Sequence, residues 1–108
     1  MTHDEFKKLF KETIKESERI LIKKGEEYAT EQDRLHNFRT AAALQNCNMD
    51  EAVGGFLAKH VVSIYDLIHN NVDTPMEVWD EKILDAINYL ILLRAVVVEM
   101  KNDRPASR

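Results

Sequence analysis

Three polar residues stand at helical spacing inside the most apolar stretch of this chain. Glu81, Asp85 and Asn88 fall at i, i+4 and i+7, surrounded by Ile83, Leu84, Ala86, Ile87 and the run Leu90 to Leu93. A carboxylate taken out of water is costly unless a cation, a metal ion or several donors meet it, so Asp85 demands a counterpart. Carboxylates on such a stripe suit holding a hard divalent cation, though the stripe alone names no substrate.

A second polar row supplies candidate counterparts. Lys59, Ser63, Asp66 and Asn70 follow i, i+4, i+7, i+11 among Val61, Val62, Ile64, Leu67 and Ile68. If the two helices pair antiparallel across the short turn between them, the rows face each other. Lys59 and Asp85 would then form a buried ion pair that needs no ligand. Alternatively the acids hold Mg²⁺ while Lys59 meets a phosphate as a point charge.

A third cluster, Lys24-Gly25-Glu26-Glu27-Tyr28 followed by Asp33-Arg34-Leu35-His36-Asn37-Phe38, mixes acids, bases, an amide and aromatics. That mixture suits a polar ligand with a base to stack, although an ordinary solvated connector carries similar residues. Arg34 and Asn37 flank Leu35 and Phe38, which places both polar groups at the edge of a core. His36 and His60 are not spaced as a metal pair, and a lone histidine on an apolar helix is more often a satisfied core residue. Trp79 and Tyr89 read as core or interface aromatics.

These residues need helices to position them. The first should begin after Thr2, with Glu5 three residues on, and run towards Tyr28. Phe6, Phe10, Ile14, Ser17 and Leu21 give it an apolar face, widened by Leu9 and Ile20, and Lys7, Lys8, Lys11, Glu12, Lys15 and Glu16 form the wet one. Gly25 either ends this helix or lets a backbone or ligand approach it closely. A second, shorter helix follows through Arg34 to Leu44, with Asp33 as its cap. Asn48 and Glu51 form a capping pair for a third, extending to about His69, in which Gly54-Gly55 would mark a close helix crossing. Thr74-Pro75-Met76-Glu77 combines an N-cap, a proline at the first helical position and an early acid. The fourth helix should continue to about Lys101.

The class is therefore all-α: one four-helix bundle-like domain over 1–101 and a flexible tail over 102–108. With 108 residues, 44% hydrophobic and 31% charged, the chain can bury one core, and no apolar run reaches the roughly 20 residues of a membrane span. A formal charge of −4 argues against stable nucleic-acid binding, which draws on excess Lys and Arg. The single cysteine, Cys47, excludes an internal disulfide and a cysteine-rich zinc site. With charges from His3 to Lys8 where a secretory segment would be apolar, a cytoplasmic location is expected. The broad apolar face of Ile83 to Val98 favours a homo-oligomer, a dimer or tetramer.

Four blocks, Lys24 to Ala29, Asp33 to Phe38, Lys59-His60-x-x-Ser63-Ile64-x-Asp66 and Trp79-x-Glu81-Lys82-Ile83-x-Asp85-x-x-Asn88-Tyr89-Leu90, together resemble small phage and prophage proteins. These are similar to the nucleotide-modification-associated domain group and, more distantly, to the all-α NTP pyrophosphohydrolases, the class of MazG and the dimeric dUTPases. The resemblance covers roughly residues 20 to 95. It implies an oligomeric helical bundle in which acids of two adjacent helices hold Mg²⁺ and an NTP is cut to NMP and pyrophosphate. Together with the residue reading, it implies Asp85, Glu81 and Asp66 in catalysis and Asp85, Glu81 and Glu27 on Mg²⁺. Lys59, Arg34, Asn37, Lys24, Ser63, Asn88 and Tyr28 would bind substrate.

The chain departs from that family's acidic motifs. Lys82 takes the place of the glutamate in Glu-x-x-Asp, leaving Glu81 one residue off, and Lys59 and Ser63 fall where the first motif would have Glu-x-x-Glu. A second reading is therefore a nucleotide binder that does not cut its ligand, with Lys59 replacing the metal as counter-charge. A third is a structural oligomer whose polar rows pair between helices.

Overall fold

Helix starts are set by groups that accept the first free backbone N–H groups. The computed structural model describes residues 1–28, 32–70 and 73–103, which form four helices and no strand. In α1 (His3–Tyr28), Thr2 Oγ1 accepts a hydrogen bond from the Glu5 N–H at 3.1 Å, and Asp4 and Glu5 meet the positive end of the dipole. In α3 (Met49–Asn70), the Glu51 carboxylate accepts from the Asn48 N–H at 3.1 Å, which is half of a capping box.

Two starts differ from the sequence expectation. α2 (His36–Gln45) has Leu35 as its N-cap, with no side-chain cap. Asp33 instead accepts the Leu35 N–H at 3.0 Å in a local turn, and this delays the helix beyond Arg34. In α4 (Met76–Asn102), Pro75 is itself the N-cap, with an extended ψ of 148°, so it stands just outside the helix rather than at its first position, and Thr74 does not cap. α2 closes on Asn46 in the left-handed region (φ 53°), where the Cys47 N–H reaches the Ala42 carbonyl at 3.0 Å.

α3 packs along α4, α2 lies on α3, and α1 leans on α4. The core gathers Leu35, Phe38, Ala42, Met49, Ala52, Val53 and Val96, with Phe56, Tyr89, Leu92 and Met100 packed around it. The ring of Phe38 meets Phe56 and Tyr89 edge-on, at 6.1 and 6.3 Å between centroids. Arg39 ties the start of α2 to α4, its guanidinium bonding Asp33 at 2.9 Å and Glu99 at 2.7 Å.

The apolar face of α1 does not go where its spacing suggested. Ser17 is buried and Ile20 and Leu21 are half-buried, but Phe6, Leu9, Phe10 and Ile14 are exposed because the amino-terminal half of the helix finds no apolar cover. Nor do Gly54 and Gly55 mark a close crossing: a Cβ on either would meet nothing within 4 Å. Among the described residues, no helix is long and apolar enough to cross a membrane.

Candidate functional site

Asp85 finds two basic partners, and neither is Lys59. Its Oδ1 lies 3.3 Å from Lys24 Nζ on α1, and its Oδ2 lies 3.8 Å from His60 Nδ1 on α3. α3 faces α4 through Phe56 and His60, four residues apart, with Phe56 stacked on Tyr89 at 6.0 Å and His60 stacked on Tyr89 at 4.8 Å. One residue along a helix turns the side chain by about 100°. Lys59 is accordingly exposed, and the expected pairing of the two polar rows is replaced by His60 and Lys24 on Asp85.

Asn88, one turn further along α4, is buried to 4% exposure. Its Oδ1 accepts a short hydrogen bond from the Ser17 hydroxyl, while its Nδ2 is buried with no hydrogen-bond partner among the described residues. Rotating the amide by 180° exchanges the paired end and leaves the other bare. Buried polar groups are nearly always satisfied, so this one marks a place where a ligand or water belongs.

Arg34 approaches from the segment that the Asp33–Arg39 pair holds. Its Nη2 donates to the Leu21 carbonyl at 3.3 Å, and its side chain crosses α1 at Gly25, where a Cβ would sit 2.7 Å from Nε. Gly25 thus continues the helix and admits the Arg34 side chain against it, where the sequence suggested a helix end or the approach of a backbone or ligand.

These groups line one cavity of about 210 Å³, with Leu21, Asn37, Phe38 and Leu92 completing its wall. Its size is below the roughly 300–1,000 Å³ typical of sites for whole drug-sized ligands, so it suits one ring or one anionic group with the remainder of the molecule outside. Lys24 and Arg34 give the wall its positive charge. Asn37 and Asn88 carry amides, and His60, Phe38 and Tyr89 offer ring faces or edges.

Lys24, Arg34, Asn37, Asp85 and Asn88 are therefore brought together as candidate site residues. Lys59 and Asp66 are exposed on α3, Ser63 is half-buried there, and none of the three lines the cavity. Glu81 is exposed and opens onto a separate groove between α1 and α4, and Glu27 is exposed near the end of α1. Tyr28 ends α1, and its side chain lies outside the described residues.

The expected magnesium set is not assembled. Asp85 faces Lys24 and His60, whereas Glu81 and Glu27 belong to other surfaces, and no group of three or more His, Cys, Asp or Glu among the described residues could hold a metal ion. The described residues of one chain thus do not bring the expected Mg²⁺ acids together.

Sequence reasoning undervalued Ser17, His60 and Tyr89. The signal for Ser17 was present: it is the one hydroxyl in an otherwise apolar row from Phe6 to Leu21, as Asn88 is the lone amide in its own run. Compared with known proteins, the chain matches no family model, no curated protein and no solved structure.

Proposed function

We propose that this chain binds a nucleotide or nucleotide-like ligand without requiring a metal ion and without cutting it. The observation that carries the reading is the bare, buried Nδ2 of Asn88 at the wall of a cavity that also presents Tyr89 and His60. A heteroaromatic base supplies what that wall lacks: an acceptor for the amide N–H and a flat face for the rings. Lys24 and Arg34 stand at the same cavity as cations for a phosphate. About 210 Å³ admits a base and leaves the phosphates at its edge. The same reading makes the protein a homo-oligomer, supported by the large apolar side chains that one copy leaves in water.

The test is titration calorimetry with common nucleoside mono- and triphosphates, in Mg²⁺ and in EDTA, followed by chromatography of the recovered ligand. The expected result is saturable binding that persists in EDTA, with the nucleotide unchanged. Binding only with Mg²⁺, accompanied by pyrophosphate release, would overturn it.

A further inference from the structure

The chain exposes more surface than its mass warrants. Its accessible area is 8330 Å² for 12.5 kDa, where a monomer of that mass is expected to show about 6,200 Å². The radius of gyration of 16.5 Å likewise exceeds the roughly 13 Å of a well-packed domain this long. The excess of about 2,100 Å² per chain is more than the roughly 800 Å² each partner buries in a standard interface, so there is surface enough for a second copy to cover.

Two complementary features sit on this surface. One is a groove of about 670 Å³ between α1 and α4. Leu9, Ile20, Ile83 and Leu84 give it an apolar floor, and its charged lining among the described residues is acidic throughout, including Glu12, Glu16, Asp80 and Glu81. The other is the uncovered half of α1, where Phe6 (54% exposed), Phe10 (56%) and Ile14 form a stripe. Lys7, Lys11 and Lys15 adjoin that stripe at i, i+4, i+8, so this edge of the helix offers the charge the groove lacks.

We propose that a second copy of this chain docks here, the Phe6-Phe10-Ile14 stripe of each α1 entering the acidic α1/α4 groove of the other. The arrangement is isologous, as a two-fold dimer requires: each copy supplies both stripe and groove. Apolar contact drives it and the lysine-to-acid match sets its register. A lipid surface is the weaker occupant, because α1 carries seven acids against seven bases and so has no net positive charge for anionic headgroups. The groove and the ligand cavity are separate but share Asp85 in their walls. This surface rests on the oligomer proposed above and does not require the cavity's ligand to be a nucleotide.

The experiment is sedimentation velocity on the full chain at micromolar concentration without ligand, with circular dichroism checking that each variant stays helical. The wild type should sediment at twice 12.5 kDa. Phe10→Glu should be monomeric, while Tyr65→Glu, which alters an exposed position on α3, should stay dimeric. Reversing Lys7 and Lys11 to Glu, or Asp80 and Glu81 to Lys, should each weaken the dimer about tenfold at low salt, and the combined variant should recover most of that loss. These charge variants keep the stripe intact, so they decide the matter if Phe10→Glu unfolds. An oligomer indifferent to all the α1 and groove changes would overturn this interface and leave the oligomer standing. A monomeric wild type would overturn both, as would one that instead floats with anionic vesicles. None of these outcomes decides whether the cavity binds a nucleotide.

Discussion

Ser17 donates its hydroxyl hydrogen to Oδ1 of Asn88 across 71 positions of sequence, a bond that fastens α1 to α4 at the wall of the cavity. It leaves the amide half satisfied, its Nδ2 buried with no partner among the described residues. Ser17→Ala strips the remaining partner and should destabilise the fold by about 1–3 kcal/mol, read as a fall in melting temperature. Adding Asn88→Leu on the Ser17→Ala background removes both buried polar partners and should recover most of that stability while abolishing ligand binding. If the double variant binds as well as the wild type, the amide is not part of the site.

Asp85→Asn separates binding from hydrolysis. The carboxylate competes with any incoming phosphate for Lys24, so neutralising it should tighten an anionic ligand by about 1 kcal/mol, roughly fivefold. A hydrolase depending on Asp85 would instead lose turnover. Calorimetry and a pyrophosphate assay on one preparation distinguish the two.

Gly25→Ala should dissociate stability from affinity. Alanine favours the helix by up to about 1 kcal/mol, and the group it displaces is the flexible end of Arg34. The melting temperature should therefore hold or rise. Phosphate affinity should fall several-fold as Arg34 leaves its place over α1, whereas unchanged affinity would remove Arg34 from the site.

The Asp33–Arg39–Glu99 strut gives the fold an acid sensitivity of known sign. The Arg39 guanidinium, bonded to Asp33, holds that carboxyl below the ordinary aspartate range, and the Leu35 N–H adds to the effect. With the folded pKa lowered, the contribution is fully present above the unfolded value of about 3.9 and is lost as pH falls through the folded one. Arg39→Met should cost about 0.5–1 kcal/mol at pH 7, since the pair is partly in water, and that difference should shrink towards pH 3. Urea titrations of both proteins at the two pH values measure it.

Much of the fold was legible because it is encoded locally. Thr2 with Glu5 and Asn48 with Glu51 mark helix starts within a few residues of sequence. Asp33 and Thr74 misled because a turn-forming aspartate and a threonine before proline have non-helical uses too. The rotation of α3 was harder to read: Val61, Val62, Ile64 and Ile68 put apolar groups around much of its circumference, so spacing alone could not choose Lys59 or His60 for the face on α4. Asn88 and Asp85 were legible because they interrupt an apolar run. Lys24 was legible as a candidate for the ligand, but its pairing with Asp85 and that of Ser17 with Asn88 were not, since both come from a crossing of helices more than sixty positions apart.

Asp85 stands in a party wall, with the cavity on one side and the acidic groove on the other. In the proposed dimer, a lysine reaching Asp85 from the groove side would share the carboxylate with Lys24 and loosen that lysine's hold, freeing it for an anion within the cavity. By thermodynamic reciprocity, whatever factor the neighbour contributes to capture, the captured molecule returns to the neighbour in equal measure. One carboxylate therefore makes two separate encounters a single equilibrium.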